Sequence, residues 1–226
     1  MISDKEFVEL CKDGTVDEVR QALADGATPN AGTEGYRTAL MAAVDAGNLP
    51  VVQTLLSAGA DVNVLTVVKI YWDGVPGMFD YLSSTALMCA AQKNDPAVIQ
   101  ALLAAGAEVN IQGVDDGQTA LMLAAKNDNL PAVEALLAAG AEVNACDKEG
   151  MTALIYAARF SHAAVVAELL AAGADKKLKD KRGCNARWHA QDSAEHCNRE
   201  LITDPAEREL EYEKIVLLLE NAPAQS

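Results

Sequence analysis

Four residues of the 226-residue chain could hold a metal ion by type and proximity: Cys184, His189, His196 and Cys197, all within 14 positions. Thiolate and imidazole are the usual donors to zinc, but this spacing matches no standard finger, and the adjacent pair His196-Cys197 would strain a tetrahedral site. A second reading makes the two cysteines ordinary residues with the histidines at the surface. A third joins Cys184 to Cys197 in a disulfide, which belongs to an oxidising compartment. Other chemistry finds little material. His162 is the one further histidine, and there is no glycine-rich phosphate loop, no His-Glu-x-x-His and no Gly-x-Ser-x-Gly. The expectation is a protein that is not an enzyme and needs no cofactor, with metal: none, the four residues above standing as weak candidates.

Recognition chemistry is better supplied. The stretch "VVKIYWDGVPGMFDYLSS", residues 67–84, holds Tyr71, Trp72, Phe79 and Tyr81, four of the ten aromatic residues in the chain. "VVKIYW" alternates, "DGVPG" is turn chemistry and "MFDYL" follows, so the spacing predicts an extended β-hairpin. Its charges are Lys69, Asp73 and Asp80 alone. An apolar, aromatic, weakly charged projection has the composition of a binding anchor, which nominates Ile70, Tyr71, Trp72, Met78, Phe79 and Tyr81. The alternative is a hairpin folded down as extra core around Trp72 and Phe79.

Composition narrows the partner. Half the residues are hydrophobic, enough for a buried core, and the formal charge of −15 opposes nucleic acid and anionic lipid. A neutral or basic protein partner follows. The basic run "KKLKDKR", residues 176–182, reads as a solvated loop. No apolar run is long enough to cross a bilayer, and "MISDKEFVELCKDG" lacks the basic-then-apolar layout of a secretion signal. Five scattered cysteines suit a reducing compartment. The expected location is cytoplasmic, or periplasmic if a leader has been removed.

The positioning elements come from self-similarity. "TALMAA", "TALMCA", "TALMLA" and "TALIYA" begin at Thr38, Thr85, Thr119 and Thr152, and a (Leu/Ala)-Leu-x-x-Gly-Ala signature places glycines at 26, 59, 106, 140 and 173. The period is 33 with one insertion of about 14 residues, the aromatic stretch itself. Thr caps a first helix, the glycine ends a second, and Pro50, Pro96 and Pro131 stand near second-helix starts, where a missing N–H costs little. Leu40, Leu87, Leu121 and Leu154, with the Leu-Leu pairs at 55/56, 102/103, 136/137 and 169/170, are expected to form the core.

With "GQTALMLAAKNDNLPAVEALLAAGAEVN", residues 117–144, the chain resembles the ankyrin-repeat family, with Ala for the family's Pro and Met for its His. Met41, Met88, Met122 and Ile155 take the His position, replacing a polar link by apolar contact between repeats. The resemblance implies an all-α repeat solenoid, an ankyrin-repeat stack of helix-turn-helix units with β-hairpin fingers. It implies one domain over 1–226: an N-terminal cap at 1–30, repeats at 31–63, 64–110, 111–144 and 145–177, and a modified C-terminal cap at 178–226. In that cap "GCNARWHAQ" occupies the helix-start frame, with Arg187 for Leu and Trp188 for Met, and the second helix is postponed to 210–222.

The resemblance further implies protein binding through finger tips and exposed first-helix positions. Positions four, seven and eight after each Thr are Cys89, Gln92 and Lys93, then Leu123, Lys126 and Asn127, then Tyr156, Arg159 and Phe160. The partner-binding set is therefore the hairpin residues with Leu123, Lys126, Tyr156, Arg159 and Phe160, the aromatics Tyr156 and Phe160 also able to pack under the C-terminal insertion. One long probe beside an ordinary face suits a monomeric inhibitor or immunity protein, in a style like that of some bacterial ankyrin proteins, acting on an enzyme with a basic or open cleft. A non-inhibitory scaffold is the competing reading.

Overall fold

The computed structural model describes residues 2–33, 37–71, 79–196 and 205–222. Within them lie twelve helices and one two-stranded sheet, and the chain divides into two compact units, Met1–Asp115 and Asp116–Ser226.

The first unit contains α1 (Asp4–Asp13), α2 (Val16–Ala24), α3 (Ala39–Asp45), α4 (Leu49–Ser57), β1 (Thr66–Tyr71), β2 (Phe79–Ser84), α5 (Ala86–Lys93) and α6 (Pro96–Ala104). Consecutive helices pair as α1 with α2, α3 with α4 and α5 with α6; α1, α3 and α5 then stack as one layer and α2, α4 and α6 as another. The second unit repeats this plan with α7 (Ala120–Lys126), α8 (Leu130–Ala138), α9 (Ala153–Arg159), α10 (Ala163–Ala171), α11 (Ala186–His196) and α12 (Pro205–Asn221). Helix pairs stacked in two layers are the solenoid expected.

Local chemistry explains where the helices begin. Thr38, Thr85, Thr119 and Thr152 each accept a hydrogen bond at Oγ1 from the N–H three residues on, at 3.2–3.3 Å. Ser3 with Glu6 and Thr15 with Glu18 form full capping boxes at α1 and α2. Pro50, Pro96 and Pro131 lie in the first turns of α4, α6 and α8. After α8, Gly140 takes a φ of +84° although a Cβ there would meet nothing within 4 Å. Backbone conformation rather than space therefore selects glycine.

The two helix types are buried differently. In α3 the six residues Ala39–Val44 are all buried, and α5, α7 and α9 share the pattern, because each first helix is flanked by its pair-mate and by other first helices. Met41, Met88, Met122 and Ile155 are each 1% exposed, so all four are buried at this position of the first helix. Second helices bury one stripe, such as Val98, Ile99 and Leu102 of α6. Only the first leucine of each pair, Leu55, Leu102, Leu136 or Leu169, is fully buried. Leu56, Leu103, Leu137 and Leu170 are half-buried, a correction that follows from the helical turn: adjacent residues point about 100° apart and cannot share a narrow stripe.

Finger asparagines tie neighbouring repeats. Asn63 accepts the Glu108 N–H at 2.8 Å and donates to the Gly106 carbonyl at 3.2 Å; Asn144 does the same with Asp175 at 2.8 Å and Gly173 at 3.3 Å. The insertion that follows Asn63 thus leaves the repeat linkage intact. In the last repeat Asn185 replaces Thr as the cap, accepting from the Trp188 N–H at 3.0 Å. There α11 runs to 11 residues against 7 in α9, and α12 starts at Pro205, five residues earlier than expected, since proline is suited to a first helical position. Lys176 Nζ donates to the Leu219 and Ala222 carbonyls, both at 2.7 Å, which satisfies the otherwise open end of α12.

Candidate functional site

At the fingers Gly32–Thr38, Cys146–Thr152 and Lys179–Asn185 the chain closes with a single antiparallel bridge. The insertion differs: β1 and β2 pair over six positions, from Thr66 opposite Ser84 to Tyr71 opposite Phe79, with Lys69 opposite Tyr81 and Ile70 opposite Asp80. At about 3.3 Å per residue such a ladder is about 20 Å long. Its base is fastened by small polar groups. Thr66 Oγ1 donates to the Ser84 carbonyl at 3.2 Å and approaches Met41 Sδ at 3.5 Å, Ser84 Oγ lies 3.3 Å from Cys89 Sγ, and the Asp115 N–H reaches Ser83 Oγ at 3.5 Å. Ile70, Tyr71, Phe79 and Tyr81 are placed here by their backbone; Trp72 and Met78 lie outside the described residues.

The helix face differs from expectation at its fourth position. Cys89, Leu123 and Tyr156 are 5%, 9% and 8% exposed, not solvent-facing. Helical side chains lean toward the N-terminus, so a residue four after the cap is carried back over the turn that enters its own helix. Burial holds the Cys89 thiol above its ordinary value and pushes the Cys11 thiol up to about 12, so neither is a thiolate nucleophile near neutrality.

Tyr156 shows what that turn provides. Its hydroxyl donates to Asp147 Oδ2 at 2.6 Å and accepts from Gln118 Nε2 at 3.1 Å, while Asp147 Oδ1 accepts the N–H groups of Glu149 at 2.9 Å and Met151 at 2.8 Å. Burial, then the hydrogen bond to Asp147, raise the phenol above its ordinary value, so it stays a neutral donor. Arg159 remains exposed and Lys126 half-buried, its ammonium 5.9 Å from the Tyr156 ring centroid. Half-buried Phe160 stacks on His162 at 6.1 Å and lines a cavity of about 620 Å³ with Lys126, Asp128, Ser161, His162 and Glu211 of α12.

His189 occupies in its repeat the place of Tyr156, nine residues after an aspartate. It is 1% exposed, and its Nε2–H donates to Asp180 Oδ2 at 3.0 Å, which corrects the surface position weighed for it. Asp180 also accepts the N–H groups of Arg182 and Cys184 at 2.9 Å and Arg182 Nε at 3.2 Å. Cys184 Sγ lies 4.0 Å from the Arg182 carbonyl. The ring nitrogen Nε2 is thus committed to a carboxylate. Among the described residues no three metal-ligating side chains gather; the His196 side chain and Cys197 lie outside them.

The sequence signal for both aspartates was present in "DKEG" and "DKRG", each nine residues before the side chain it holds. By itself such an Asp-x-x-Gly turn reads as loop chemistry.

This pair makes the second unit sensitive to acid. Burial lowers the His189 value below its ordinary 6.5, with Asp180 opposing, so as pH falls below 6.5 the unfolded chain gains the proton first and stability declines. Burial raises Asp180, but the hydrogen bonds from Cys184, His189 and Arg182 prevail and hold it at about 2 against an ordinary 3.8. Its contribution is present above 3.8 and is lost as pH falls through about 2. Denaturant melts across this range should show His189→Gln losing the upper part of the decline and Asp180→Asn the lower part. Parallel curves for wild type and both variants would contradict the assignment.

Stacked helix pairs with capped starts and asparagine-linked fingers define a helical repeat array. The chain belongs to the ankyrin-repeat family, whose pattern matches residues 87–180 as three copies and residues 36–67 as one more. Such repeats are protein–protein interaction modules and generally non-enzymatic. No curated protein matches the chain. Among the described residues no helix is long and apolar enough to cross a membrane.

Proposed function

We propose that this chain is a non-enzymatic inhibitor of immunity type, which binds a partner enzyme by inserting the 67–84 hairpin into a basic or open cleft. Arg159 and Phe160 hold the partner's flank. The observation that supports it is the six-position ladder, against the single bridge that closes each of three other fingers. A hairpin of two strands is marginal in water without a third strand or a packed face. A partner surface would supply the packed face that such a hairpin needs. Residues such as Tyr71 and Phe79 at its far end have the chemistry of interface anchors. A net charge of −15 draws the chain toward basic surroundings of a cleft.

The test replaces residues 67–82 by a short glycine-containing turn and compares partner capture and partner activity with the wild type, after both forms are found to melt alike. The expected outcome is capture and loss of the partner's activity with the wild type, and neither with the shortened chain. Capture by both forms would reject the hairpin as anchor; capture without loss of activity would leave a scaffold in place of an inhibitor.

A further inference from the structure

The basic run is a solvent-exposed turn held by defined bonds. Residues 176–187 hold six of the 18 lysines and arginines, with Asp180 as the one acid among them. Lys179 bridges Asn185 across the turn, and Asp180 at its centre is fixed by the N–H groups of Arg182 and Cys184 and by His189. Asp180 in turn holds Arg182 by Nε at 3.2 Å, which lays the guanidinium over the Trp188 ring at 5.6 Å from its centroid. Trp188 is 43% exposed, although Met41, Met88, Met122 and Ile155 at the same place in other repeats are 1% exposed. Arg187 stands where those repeats bury Leu40, Leu87, Leu121 and Leu154, and it pairs on the surface with Glu220 at 3.1 Å. Two positions that are core elsewhere thus present a cation and an aromatic ring to solvent.

We propose that the turn 179–185, with Arg187 and Trp188, is a second docking surface, which takes an acidic segment of a protein carrying an aromatic or aliphatic side chain among its carboxylates. Charge complementarity selects the carboxylates, since Lys179, Lys181, Arg182 and Arg187 stand in a single turn and the helix that follows it, Arg182 over the ring, with exposed surface pairings of Lys181 to Glu149 at 3.8 Å and of Arg187 to Glu220 for an acidic segment to exchange. The Arg182 fork is held by one nitrogen, so its outer edge is pre-set for a carboxylate and little side-chain entropy is lost on binding. Trp and Arg are the side chains that most often carry interface energy, and the ring provides the apolar contact. A long phosphate polymer fits less well, because beyond this turn it would meet a chain of net charge −15.

The test uses a labelled short peptide of Glu and Asp with one central Phe, its Gln/Asn counterpart, and an oligothymidylate of equal length. Binding is followed by fluorescence anisotropy with the full chain at low salt and again at about 0.3 M. The acidic peptide should bind about tenfold or more tightly than the neutral one, and lose about tenfold in Arg182→Gln/Arg187→Gln. Lys179→Gln/Lys181→Gln, which leaves the buried Asp180–His189 pair untouched, should weaken it by about threefold, so the proposal stays testable if the arginine variant folds poorly. Equal binding of both peptides, or no response to the lysine variant, would overturn the proposal. So would tighter binding of the oligothymidylate, which would make this a phosphate surface. Self-association of the chain alone that the lysine variant abolishes would overturn it in favour of a second copy.

Discussion

Asp147→Ala is expected to lower the unfolding free energy of the second unit by about 3 to 5 kcal/mol. The carboxylate serves three donors at once, the Tyr156 hydroxyl and the N–H groups of Glu149 and Met151. Asp147 is 7% exposed and Tyr156 8%, so water cannot readily replace it, and each buried donor left open costs about 1 to 3 kcal/mol. Tyr156→Phe should cost less, about 1 to 2 kcal/mol, since only the phenol bonds to Asp147 and Gln118 are lost. In the double variant the two losses should not add, because they share one hydrogen bond. Denaturant unfolding of the four proteins measures the cycle; strict additivity would mean that the bond contributes nothing.

Tyr71→Ala and Phe79→Ala should each weaken the partner complex by about 2 to 4 kcal/mol and leave the melting temperature unchanged. The two residues are opposite one another at the last described pair of the ladder, farthest from the base where Thr66 and Ser84 are fastened. If the hairpin is a free anchor, truncation at that end removes binding energy and not folding energy. Asp73→Ala should change affinity far less. If instead Trp72→Ala lowers the unfolding free energy by about 3 to 5 kcal/mol, the hairpin is packed as core and the insertion mechanism fails. Tyr156→Ala serves as the opposite control: it should lower stability, because that ring is buried. Calorimetric titration beside thermal melts separates the two kinds of loss.

The array, its period and the helix starts were legible in the chain because they rest on local chemistry. Thr119 caps α7 whatever lies further off, Pro131 suits the first turn of α8, and Gly140 is required by one backbone angle. Repetition multiplied these weak signals until the frame was clear. The hairpin was legible for the same reason, from alternation around a turn, and the backbone ladder agrees with it.

Burial at single positions was decided elsewhere. Tyr156 and Leu123 follow the family's exposed frame, yet the lean of helical side chains and the neighbouring turn cover them. Leu56 and Leu55 are adjacent and alike, but only one points into the stripe between stacked helices. His189, grouped with Cys184 by spacing, turned to Asp180, because a buried imidazole N–H needs an acceptor and the carboxylate already fixed in the turn was within reach. Local propensity thus specifies which elements form, since it depends on a few neighbouring residues; which faces are dry and which polar groups pair depends on chains brought together from far apart, and that only packing settles.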